Sequence, residues 1–67
     1  MKVCVMTKAK PFEEEVYIGV ASSVKAATKR LRGMYPHMRP SEGSNTSFIS
    51  DGYENPLLLF IHEEEVI

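Results

Sequence analysis

Residues 57–66 read Leu-Leu-Leu-Phe-Ile-His-Glu-Glu-Glu-Val, and this stretch decides the fold. In a strand, successive side chains point to opposite faces. Leu57, Leu59 and Ile61 then share one face, and Leu58, Phe60 and His62 the other. Strands that are apolar on both faces are normally covered on both. Residues 2–8, KVCVMTK, repeat the pattern, with Val3 and Val5 opposite Cys4 and Met6. These two strands are therefore expected at the centre of a sheet. A single helix covers one face. The other is left to the 34–45 segment or to a second copy of the chain, and a homodimer is expected.

Between these two strands the signals are local. Pro11 has no N–H for a ladder and places a turn after the first strand. Residues 14–21, EEVYIGVA, read as a second strand, with Val16, Ile18 and Val20 alternating against Tyr17, Gly19 and Ala21. Ser22-Ser23 supplies a helix N-cap, since a serine hydroxyl satisfies an orphan N–H. A helix is predicted from Val24 to Leu31 or Arg32, with Val24, Ala27, Thr28 and Leu31 on its apolar side. Gly33 stands where a terminating glycine is expected. Residues 34–45 hold two prolines and a glycine and read as loop, from which Met34 and Tyr35 can pack back on the core. Thr46–Ser50 reads as a short third strand, 51–56 as a turn, and Leu57–Val66 as the fourth strand. The expected fold is one α+β domain over residues 1–67, in the order β-β-α-β-β. Four antiparallel strands are packed by one helix, with Val16, Ile18, Val20, Val24, Ala27, Leu31, Phe48 and Phe60 in the core.

Composition narrows the function classes. The chain has 67 residues, 43% hydrophobic and 25% charged, with net charge −1. That balance is globular, neither acidic enough for a DNA mimic nor basic enough for bulk nucleic-acid binding. Cys4 is the one cysteine, so no internal disulfide staples the fold. With no secretory leader read at residues 1–8 and no apolar run long enough to span a bilayer, a cytoplasmic location without membrane association is expected.

No phosphate-binding loop, dinucleotide fingerprint, zinc-protease or serine-hydrolase motif occurs. Cys4, His37 and His62 have no zinc-ligand spacing, and consecutive acids at Glu63–Glu65 alternate in direction, so no metal or cofactor is expected. Cys4 among apolar residues reads as a small buried hydrophobe. A chain this small hardly encloses a pocket of ~300 Å³ or more. No enzymatic activity is expected.

Charge is unevenly placed. Residues 22–40 hold Lys25, Lys29, Arg30, Arg32 and Arg39 and no acid, while the rest has three lysines and nine acids. Lys25, Lys29 and Arg32 share a helix face. With Arg39 and His37 they form the candidate partner-binding set, suited to an acidic protein and less well to nucleic acid, for which no aromatic stacking row is present. A merely solvated helix face is the competing interpretation.

The phrase Tyr17-Ile18-Gly19-Val20-Ala21-Ser22-Ser23 before a helix, and the ending Glu63-Glu64-Glu65-Val66, resemble small β-β-α-β-β proteins of bacteria and their phages. The resemblance covers about half the chain and rests on an N-cap and a strand end. It implies the fold and a phage or prophage origin, and assigns no activity. Together these features lead to an expected non-catalytic interaction protein that binds a bacterial macromolecule. The alternative is a nucleic-acid accessory protein using the basic helix.

Overall fold

A computed structural model describes residues 1–50 and 56–66 of the chain. It is α+β, with β1 (Lys2–Ala9), β2 (Val16–Ala21), α1 (Val24–Met34), β3 (Met38–Pro40), β4 (Ser47–Ser50) and β5 (Leu57–Glu65). The strands form one antiparallel sheet in the order β2-β1-β5-β4-β3. β1 and β5 lie inside it, paired along eight residues from Lys2–Glu65 to Ala9–Leu58. Their two-sided apolar character matches that interior position.

The sheet has five strands where the sequence predicts four. Met38–Pro40 pairs with β4 inside the stretch read as loop. Three residues ending in proline carry no alternation signal. Their strand exists because β4 offers an edge, and Pro40 is tolerated because an edge strand need not use every N–H.

The helix is also longer than expected. Ser23 caps it, accepting from the Ala26 N–H at 3.1 Å. It runs through Gly33 to Met34 and closes with the Tyr35 N–H donating to the Leu31 carbonyl at 2.7 Å. Pro36 is the stop, since its ring excludes helical geometry from the residue before it. Tyr35 packs back on the core as expected, while Met34 is exposed.

α1 lies against one face of the sheet. Ala27 and Leu31 meet Cys4, Met6, Met38, Phe48, Leu59 and Ile61 in a single core, with Ile18 and Val24 at its margin. Burying a side chain such as Leu31 or Leu59 contributes about 1.5–3 kcal/mol, so this cluster supplies most of the fold's hydrophobic stabilisation.

Three residues expected in the core lie elsewhere. Met6 pairs with Gly19 and Thr7 with Tyr17, so Ile18 bulges out of register. The bulge breaks the alternation, and Val16 and Val20 remain 54% and 40% exposed. Phe60 sits on the face away from the helix, across from Thr7. The turn expected over 51–56 falls, except for Pro56, outside the described residues. No helix among the described residues is long and apolar enough to cross a membrane.

Candidate functional site

The face opposite α1 is the candidate contact surface. The register places Val3, Val5, Thr7 and Ala9 of β1 on it, with Tyr17 and Val20 of β2. Ile49 of β4 and Leu58, Phe60 and His62 of β5 complete it. Val3, Val5, Ile49, Leu58 and Phe60 are half-buried, and Tyr17 is 64% exposed. Thr7 and Ala9 on this face are themselves buried, Thr7 beneath Glu15, while α1 packs on the other face. An apolar sheet face left to water marks an interaction surface more often than a patch of scattered hydrophobes does.

A polar network sits in its middle. Glu15 precedes β2 and folds its side chain over β1. Its Oε1 accepts from the Thr7 hydroxyl at 2.5 Å and from His62 Nε2 at 2.6 Å. An ionised carboxylate only accepts, so Nε2 carries the hydrogen. The Thr7 hydroxyl, and next the His62 contact, hold the Glu15 carboxyl below its ordinary value. His62 also stacks on Phe60, ring centroids 6.0 Å apart.

A hydroxyl, a carboxylate and an imidazole are the residue types of a nucleophile relay, but their order here differs. In such a relay the imidazole takes the hydroxyl proton and the carboxylate stands behind it. Here the carboxylate lies in the middle, and its lowered pKa makes it a weak base for Thr7. The geometry ties the loop before β2 to the centre of the sheet.

The sequence-predicted binding residues do not assemble into one patch. Lys25, Lys29 and Arg32 are exposed along α1. His37 is exposed beyond the helix end, and Arg39 lies on β3, at the opposite edge of the sheet from β2. The helix trio forms a modest basic stripe without His37 and Arg39. Cys4 is buried in the core at 4% exposure. No cluster of three or more metal-ligating side chains occurs among the described residues.

Three features escaped the sequence. Glu15 and His62 meet across 47 positions, which no local pattern announces. Arg30 reaches over Gly19 so that its Nη1 donates to the Val20 carbonyl at 2.6 Å. The glycine was the one available sign, since a Cβ there would stand 3.4 Å from the guanidinium. Phe12 is fully exposed at a backbone φ of 66°. No family model, curated protein or solved structure matches the chain.

Proposed function

We propose that the chain is a non-catalytic interaction protein that works as a homodimer and offers the open face of its sheet to a macromolecular partner. The observation that carries this reading is the apolar face opposite α1, from Val3 and Val5 across to Phe60 and Leu58. A chain of 67 residues has few apolar residues to spare. Leaving several of them half in water is costly unless another surface meets them. The order of contacts in Thr7–Glu15–His62 supports a structural rather than a chemical role for the polar groups there. The resemblance to small bacterial and phage proteins supports a bacterial partner. The separation of Arg39 and His37 from the helix stripe weakens the nucleic-acid alternative.

Sedimentation equilibrium at micromolar concentration tests the homodimer. The expected mass is about twice the 7.6 kDa of the chain. A monomer throughout that range overturns it. For the face, Val5→Lys and Leu58→Lys are expected to remain folded and lose the biological phenotype. Full retention of phenotype in both would move the contact surface elsewhere.

A further inference from the structure

The two edges of the sheet are built differently. β3 is three residues long and ends in Pro40, which has no N–H to offer an incoming strand. β2 is six residues, VYIGVA, with neither proline nor charge, and Val16, Tyr17 and Val20 are 54%, 64% and 40% exposed. Unpaired backbone groups on such an edge are a template for another strand, here interrupted by the bulge at Ile18 and by Arg30 on the Val20 carbonyl.

The flanks of β2 carry opposite charge. Glu13, Glu14 and Glu15 precede it, and Glu13 and Glu14 point no carboxylate at any basic group among the described residues. After it come Ser22, Ser23 and a helix whose first turn has Lys25 and no acid. A helix start favours anions, and this one is capped by Ser23 with no acid in its own first turn. Antiparallel pairing of a strand with its own copy sets the start of each beside the end of the other. Acid then meets helix start and lysine, twice over. Parallel pairing would set acid on acid. Phe12, beside Glu13, is carried to the same place. It is an aromatic side chain in full solvent, at the positive-φ position of the turn that the Glu13 N–H closes on the Lys10 carbonyl.

We propose that two copies of the chain pair antiparallel along β2, with Glu13 and Glu14 of each set against Ser23–Lys25 of the other. This rests on the homodimer reading above and names where the copies meet. The pairing joins the two sheets into one of ten strands and leaves the open faces side by side for a partner. Arg30 already holds the Val20 carbonyl. That oxygen has a second lone pair, so the guanidinium and a ladder N–H can share it.

Sedimentation equilibrium of the full chain at low salt tests the pairing, with circular dichroism to show that each variant is folded. Glu13→Lys with Glu14→Lys should weaken the dimer about tenfold, since each exposed charge contact counts twice about the two-fold axis. Adding Lys25→Glu to that pair should restore most of the loss. Amides of β2 should exchange more slowly as protein concentration rises. A dimer untouched by the double reversal, or not restored by the triple variant, overturns the pairing. So does a dimer abolished by Phe60→Lys with the β2 flanks indifferent to charge. In each of these cases the wild-type chain is still a dimer, and only the place where its copies meet is overturned. A wild-type monomer overturns the homodimer reading and the pairing with it.

Discussion

Glu15 shows how a single side chain connects the fold to its surroundings. Its carboxylate gathers the Thr7 hydroxyl and the His62 imidazole on the open face while remaining 45% exposed. Both contacts favour the ionised form and lower its pKa from the ordinary 4.5. A carboxyl held lower in the folded than in the unfolded chain stabilises the fold above the unfolded value. That stabilisation is lost as pH falls through the folded value. The thermal midpoint should therefore drop on acidification below about pH 4.5, and Glu15→Gln should flatten that part of the profile. An identical acid limb in the variant would mean that the network contributes nothing to stability. His62 was legible in the sequence only as one residue of an alternating strand. Its partner Glu15 reads in the sequence as part of the second strand, whereas β2 begins only at Val16.

At the scale of elements, α1 and β2 each depart from their local signals for a reason that can be named. Gly33 looks like a helix terminator, yet Pro36 does the stopping and the glycine stays helical. Nothing lies within 4 Å of where its Cβ would stand, and the position is exposed. Gly33→Ala should stabilise the protein by about 0.5–1 kcal/mol, the cost of glycine in a helix interior. An unchanged or lowered urea midpoint would place Gly33 outside the helix. β2 loses its alternation at Ile18, where the bulge sends Val20 to the open face. A bulge is a relation between two strands, so the sequence of one strand does not contain it. The Arg30 contact with Val20 then fastens helix to edge, over the space that Gly19 leaves.

For the whole molecule, the sheet is covered on one side only. Principal extents of 39 × 22 × 22 Å describe an elongated body whose long strands outrun a single eleven-residue helix. Association that covers apolar surface or pairs a free edge stabilises the folded state by mass action. The thermal midpoint should thus rise with protein concentration, by several degrees for each 1–2 kcal/mol gained in a domain of this size. A midpoint independent of concentration from low to high micromolar would show that the monomer is the stable unit. Of the candidate contact surface, the β5 and β1 residues were legible, because their patterns are apolar on both faces. The β2 edge and Phe12 were not, because exposure depends on what neighbours a residue receives.

By itself the sequence determined the class of fold and its principal elements. Ser23 begins the helix, Pro11 breaks the first hairpin, and Leu57–Ile61 and Val3–Met6 lie inside the sheet. These follow from capping, backbone restriction and side-chain period, which act within a few residues. Tertiary structure alone decided that Met38–Pro40 is a strand, that Val20 and Phe60 face away from the helix, and that Glu15 meets His62. Each of these depends on register between segments distant in the chain. A one-residue shift in register turns a strand's side chains to the opposite face, so packing across the whole sheet selects among alternatives that local sequence leaves equal.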